Sequence, residues 1–299
     1  MISTKIVRAE QHKEFFYMAE DFLKPKEKYF CTLMERIQNA EDSVFVIVQK
    51  FLPSYRRKVV GVFSYTKGKT FTAYIPVYTR RICSLLLKFI KENEIFCLVG
   101  QKVDVEMLEK LIKKAKNSFP AEERPMFLME YCEENNEFFN SDDSFQQKLE
   151  TSLENNLQIK QCSFEDAEIL FPLHVAYCEK EVIPSWKKIN LSAERLSLEH
   201  NLRSRYVLGI FDRLHKKILS KAQTNAETLK TVQIGGVFTL ETYRKKGFAG
   251  TLVKNIACKF KNEGKSVVLF VRQNNFTAVN AYKKVGFKYF GEYKMDYYF

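Results

Sequence analysis

Hydrophobic and polar positions follow two periods along this chain, and together they lay out its elements. Phe248, Leu252, Val253, Ile256, Ala257 and Phe260 recur at intervals of four, one, three, one and three, which is one face of an amphipathic helix. Before it, "TVQIGGVFTL" (231–240) is rich in β-branched and aromatic residues and predicts a strand. After it, "NEGKSVVLFV" predicts a turn at Gly264 and a buried strand over 266–271. "RQNNFTAVNAYKKVGF" (272–287) predicts a second helix, with Asn274 or Asn275 as N-cap and Gly286 as a left-handed C-terminal cap. Asn275, Ala278 and Tyr282 are spaced by three and four and share one face of it. Phe248 and Phe276 are expected in the core. A last run, "YFGEYKMDYYF", reads as a strand. Upstream, "LQIKQC" predicts a strand, then a helix opening on an acidic turn (Glu165, Asp166, Glu168) and stopping before Pro184. Three successive strands are predicted over 205–240, with turns near 212–216 and 225–230.

The N-terminal half carries a similar order. "SVFVIVQK" and "KVVGVFSYTKGKTFTAYIPV" predict strands, "RRICSLLLKFIKE" a helix, "IFCLVGQ" a strand and "VEMLEKLIKKAK" a helix. Two readings stand for it: a degenerate repeat of the C-terminal plan, or an unrelated α/β domain. The polar, acidic stretch "CEENNEFFNSDDSFQQ" reads as a boundary. The expected division is therefore an N-terminal α/β domain over 1–132, a linker over 133–150, and a C-terminal domain over 151–299.

Composition narrows the classes. At 299 residues, with 45% apolar and 14% aromatic side chains, the chain can bury two cores. Seven cysteines without a C-x-x-C pair, and four histidines without ligand-pair spacing, argue against a disulfide framework and against a metal site. Cys178 and His174, four apart on one helix, read as core residues, because no third group to orient them is evident. The N-terminus lacks the apolar core of a secretory signal, and the longest apolar runs have strand length, so a soluble cytoplasmic protein is expected. The net charge of +12 reads either as an anionic partner's counterpart or as lysine-rich solvated faces such as that of "LEKLIKKAKNSF". No basic and aromatic residues interleave as on a single-strand platform, so neither nucleic acid nor membrane is expected as a partner.

Candidate chemistry lies in "ETYRKKGFAG", between the strand at 231–240 and the helix that follows. Free N–H groups and the helix dipole favour an anion there. Gly247 admits close backbone approach, and Arg244, Lys245 and Lys246 add cationic donors. The spacing is neither a P-loop nor G-x-G-x-x-G. It is R-x-x-G-x-A, filled by Arg244, Gly247 and Ala249.

Strand, R-x-x-G-x-A, helix, strand, then N-x-x-A-x-x-x-Y-x-x-x-G-F: over 231–287 this order resembles the core of the GNAT superfamily of acyl-CoA N-acyltransferases. The resemblance implies an α/β (α+β) fold, with a central mixed, mostly antiparallel sheet flanked by helices. It makes the N-terminal half a degenerate GNAT repeat if that half is a repeat at all. It implies acetyl-CoA as cosubstrate and an amine-bearing acceptor, a small molecule or a protein, that attacks the thioester directly. The pyrophosphate would rest on Arg244, Lys245, Lys246, Gly247, Phe248, Ala249, Gly250 and Thr251. Val237, Phe238 and Thr239 would meet the acyl group and pantetheine arm, and Asn275 and Ala278 would line the cofactor. Tyr282 falls at the general acid's position. Glu241 is the first candidate base and Glu227 the second. The acceptor pocket would be built over 171–202, with Trp186 as a lid or in ordinary packing, and with Glu179 and Glu181 available to a cationic substrate. Two alternatives stand beside this: a non-catalytic acyl-CoA-binding or sensor protein, and an acetyltransferase acting on RNA-associated substrates.

Overall fold

The computed structural model describes residues 2–51, 56–132 and 156–299; the expected linker at 133–150 lies outside them. Two compact units are present: residues 1–128 with 291–299, and residues 129–290.

The first unit runs β1 (Ile2–Arg8), α1 (Glu14–Leu23), α2 (Cys31–Gln38), β2 (Val44–Phe51), β3 (Arg57–Tyr65), β4 (Thr70–Tyr74), α3 (Arg80–Glu92), β5 (Cys97–Gln101), α4 (Lys102–Lys116) and β6 (Glu122–Tyr131). Helix α3 buries Ile82, Leu86 and Ile90, one residue per turn, against a core that includes Phe63, Phe71 and Leu98. The Thr79 hydroxyl caps its start by accepting the Ile82 N–H at 3.3 Å. Strands β1 to β4 pair antiparallel in order, whereas β4 and β5 run parallel and pair only at Thr70–Cys97 and Phe71–Leu98.

On its other side β5 pairs antiparallel with the end of β12 (Phe287–Tyr297), from Tyr293–Gln101 to Tyr297–Cys97. Residues 291–299 thus join the first unit by contact, where the sequence division groups them with 151–299. The physical reason is that β5 has edge N–H and C=O groups to satisfy. Tyr293, Tyr297 and Tyr298 are buried there.

The same segment carries a partly buried charge cluster. Lys294 Nζ meets Glu109, lies 2.8 Å from Glu123 and 3.2 Å from Asp296. Asp296 is fully buried, and burial, reinforced by Glu109, pushes its carboxyl up to about 8. Glu109 is pushed upward by burial too, but hydrogen bonding with Asp296 and Lys294 holds it below its ordinary value. Burial and Glu109 thus favour the protonated form of Asp296. A group whose folded pKa is raised stabilises the fold fully below its unfolded value and loses that contribution as pH climbs through the folded value. The urea midpoint is expected to fall between about pH 4 and about pH 8, and Asp296→Asn, which cannot ionise, to flatten that slope. An unchanged slope in the variant would remove Asp296 as its source.

The second unit repeats the plan: β7 (Leu157–Gln161), α5 (Ala167–Tyr177) continued by a π-helical turn (Cys178–Val182), α6 (Leu191–Ser204), β8 (Val207–Asp212), β9 (Lys217–Glu227), β10 (Thr231–Thr239), α7 (Phe248–Asn262), β11 (Ser266–Arg272) and α8 (Phe276–Lys284). Ser163 and Asp166 form a capping box ahead of α5. Strands β7 to β10 pair antiparallel in order, and β11 is parallel to β10. In both units a strand, two helices and three antiparallel strands precede a helix, a parallel strand and a helix. That is a tandem pair of the mixed α/β fold expected from the sequence.

Candidate acyl-donor site

Strand β10 pairs with β11 from Thr231–Ser266 to Ile234–Leu269, and the ladder stops there although both strands continue. Residues 235–239 are left without a ladder partner on the β11 side. On the other side β10 stays paired with β9, but Gly235–Gln223 is followed by Phe238–Lys221. One extra residue on β10 makes a β-bulge, which re-aims backbone groups. Gly236 takes φ +60° within it. A Cβ on Gly235 would stand 2.0 Å from the Asn225 amide, and one on Gly236 2.7 Å from Gln223. The two glycines therefore let these side chains of β9 lie across β10. They form a polar row: Lys221 Nζ donates to Gln223 Oε1 at 3.3 Å, and Gln223 Nε2 to Asn225 Oδ1 at 3.4 Å.

The loop after β10 delivers the start of α7. Gly247 is its N-cap at φ +82°, no side chain caps the helix, and Lys245 is also left-handed at φ +64°. Left-handed residues at alternate positions turn N–H groups toward one concavity, a geometry suited to an anion. Arg244, Lys245, Lys246 and Gly247 are exposed, while Ala249 and Gly250 are half-buried. Arg244 Nε donates to the Thr239 carbonyl at 3.3 Å, tying the loop to the end of β10. Two expected contacts change. The Phe248 side chain is buried in the core, leaving only its backbone for a ligand. Thr251 spends both its N–H and its hydroxyl on the Gly247 carbonyl, because it sits one turn into the helix.

Helix α8 begins as predicted: Asn275 Oδ1 accepts the Ala278 N–H at 3.1 Å. Tyr282, on the same face, is buried against Phe287. Phe276 is 73% exposed, correcting its expected place in the core; it is the first residue of the helix, a turn before the buried Val279. Burial, helped by Glu181, raises the Tyr282 phenol well above its ordinary value, so it stays protonated. Tyr177 is also raised by burial, is close enough to Tyr282 to feel its charge, and hydrogen-bonds the Gly236 backbone. Arg272 donates to the Glu181 carbonyl at 2.7 Å. Sequence reading missed Tyr177 and Arg272; nothing in their local pattern marks them.

Glu241 and Glu227, the two candidate bases, lie toward opposite ends of β10. Glu227 pairs across from Val232 and binds Lys265 at 2.6 Å, far from the unladdered segment. Glu241 is exposed, ion-paired with Lys180, and held ionised by that hydrogen bond. It walls a cavity of about 280 Å³ with Ala176, Lys180, Phe238, Leu240 and Thr242. Val237 and Thr239 are half-buried and Phe238 buried along the same strand. Trp186 is half-buried in the loop before α6.

Behind the cavity lies a second missed group. Lys221, opposite Phe238, is fully buried, with Nζ 4.4 Å from the Tyr177 ring centre, and burial pushes its pKa down to about 8. A lysine within the buried strand β9 was the available sequence signal. Cys178, His174 and Glu194 form a triangle nearby: Sγ–Nε2 3.5 Å, Sγ–Oε2 3.1 Å and Nε2–Oε2 3.4 Å. Glu194, from the next helix, is the third group that the sequence did not reveal. Burial raises the Cys178 thiol to about 12, the opposite of what a nucleophile needs.

Known proteins agree with this fold. A protein family described as "FR47-like protein" matches residues 207–295. No curated protein matches the chain. Among solved structures, a tandem GNAT protein from the clavulanic acid biosynthesis pathway aligns over 99% of this chain and 98% of its own, with TM-score 0.59 and 10% identity. A GNAT-family acetyltransferase from Colwellia psychrerythraea aligns over 99% of both chains, at 0.52 and 11%. A GCN5-related N-acetyltransferase-like protein from Streptococcus suis 89/1591 covers 94% of this chain and 100% of its own, at 0.52 and 17%. At such identities the likeness is one of fold. The GNAT resemblance read from the sequence is borne out, and the two units are tandem copies of that fold. Among the described residues no helix is long and apolar enough to cross a membrane.

Proposed function

We propose that the second unit is an N-acetyltransferase that moves an acetyl group from acetyl-CoA to a primary amine. The observation that carries this is the break in the β10–β11 ladder beside an uncapped, glycine-started helix. Residues 244–250 hold the pyrophosphate. The backbone of Val237, Phe238 and Thr239 takes the pantetheine arm and the thioester, and Asn275 and Ala278 line the arm's other side. The amine enters by the cavity at Glu241, whose ionised carboxylate attracts it as an ammonium and accepts its proton. The nitrogen forms a bond to the carbonyl carbon, backbone N–H groups at the bulge stabilise the oxyanion, and the carbon–sulfur bond breaks. Tyr282 then protonates the departing thiolate, and the proton shed by the acylated nitrogen restores the phenol.

The first unit has the same parallel strand pair but a different helix start. There the Thr79 hydroxyl already accepts the Ile82 N–H, and no glycine opens the turn. One cofactor per chain is therefore expected. The test is binding of acetyl-CoA by calorimetry and thermal shift. At 100-fold its dissociation constant the ligand adds about 2.7 kcal/mol, a rise of a few degrees. A stoichiometry of two would assign the first unit a site as well, and no binding would remove the reading. Turnover against a panel of amines then separates an enzyme from an acyl-CoA sensor.

A further inference from the structure

Three unlike donors converge inside the second unit: His174 and Cys178 from the end of α5, and Glu194 from the first turn of α6. We infer that His174 Nε2, Cys178 Sγ and Glu194 Oε2 form a binding site for one borderline divalent cation, zinc first, outside the acyl-donor site.

The geometry carries this. Zinc holds a thiolate at about 2.3 Å, an imidazole nitrogen at about 2.0–2.1 Å and a carboxylate oxygen at about 2.0–2.2 Å, with tetrahedral angles. Those lengths set ligand–ligand edges of roughly 3.3–3.6 Å. The three edges here are 3.5, 3.4 and 3.1 Å. Two edges fit one face of a coordination tetrahedron, and the Sγ–Oε2 edge, shorter by about 0.2 Å, would have to open slightly around an ion. His174 and Cys178 are buried, at 3% and 2% exposure, so water competes little for the ion.

Charge supports the same assignment. A thiolate and a carboxylate together neutralise a divalent ion. The other acidic cluster makes the contrast. Among Glu109, Glu123 and Asp296 the Lys294 ammonium already stands where an ion would. At His174, Cys178 and Glu194 no ammonium fills the centre; Lys221 binds Gln223 and the Tyr177 ring instead.

One feature sets the affinity. His174 Nδ1 finds no hydrogen-bond acceptor, so the ring lacks the outer brace common to zinc histidines. Losing such a brace typically weakens binding about 10–100-fold. The site should thus fall short of a structural zinc finger in affinity while keeping its stoichiometry.

The test uses the full chain. Its metal content is measured as purified, then it is stripped with EDTA and titrated with zinc and cobalt(II). One equivalent is expected, with proton release as the thiol ionises and a thiolate-to-cobalt charge-transfer band in the near ultraviolet. Cys178→Ser should remove the band and weaken binding at least about 100-fold, and His174→Gln should weaken it similarly, both with unchanged far-ultraviolet circular dichroism. Wild-type protein that takes up no ion and shows no band overturns the proposal, whatever the variants do. An ion held equally well by Cys178→Ser overturns it too, by placing the metal on other groups. The result is independent of acyl transfer, and either reading can fail alone.

Discussion

Gly247→Glu is expected to abolish acetyl-CoA binding while leaving the fold intact. Three effects act together. Gly247 sits at φ +82°, where any L side chain is strained by about 1 kcal/mol. A side chain here would occupy the concavity that the pyrophosphate needs. A carboxylate placed there would also satisfy the N–H groups and repel the phosphates. The combined loss should exceed 100-fold, about 2.7 kcal/mol, in calorimetric affinity. The folded state should lose little more than the strain, because residues 244–247 are exposed. Gly247→Ala separates the causes: it carries the strain without the charge and should bind measurably. Wild-type affinity in Gly247→Glu would move the cofactor away from this loop.

Tyr282→Phe should lower kcat by about 100- to 10,000-fold, the range for a lost general acid. KM should hold, because the ring, its packing on Phe287 and the Asn275 cap are all retained. The loss should persist across pH, since burial keeps the wild-type phenol protonated throughout the working range. Acetyl-CoA binding must stay normal for the comparison to count. A variant that turns over at the wild-type rate would reduce Tyr282 to a core aromatic and leave the thiolate to take its proton from solvent.

What the sequence told about this fold followed from range. Helix α3 occupies the "RRICSLLLKFIKE" run read from its apolar period, β10 falls within a residue of its predicted bounds, and α7 begins at Phe248, where its apolar face was read to start. These depend on local alternation and on caps a few residues away. Asn275 and Gly286 behave as read for the same reason. The anion loop was legible too, since strand, loop and helix are contiguous. Lys221, Glu194 and Tyr177 were not, because their roles arise only once β9 and the α5–α6 pair are packed together. The bulge at Gly236 likewise needs the β9 register, and Phe276 shows that an apolar residue on a helix need not face inward.

The pairing of β12 with β5 sets a timetable for folding in the cell. Lys102, just after β5, and Glu292, in β12, are 190 residues apart. At about 5–20 residues per second, roughly 10–40 s separate their emergence from the ribosome. During that interval the β5 edge has no partner from β12, and an open edge is a template for misassociation. Pairings this distant in sequence also form slowly. The first unit begins the chain but is completed by residues that follow the second, so vectorial synthesis alone cannot finish it first.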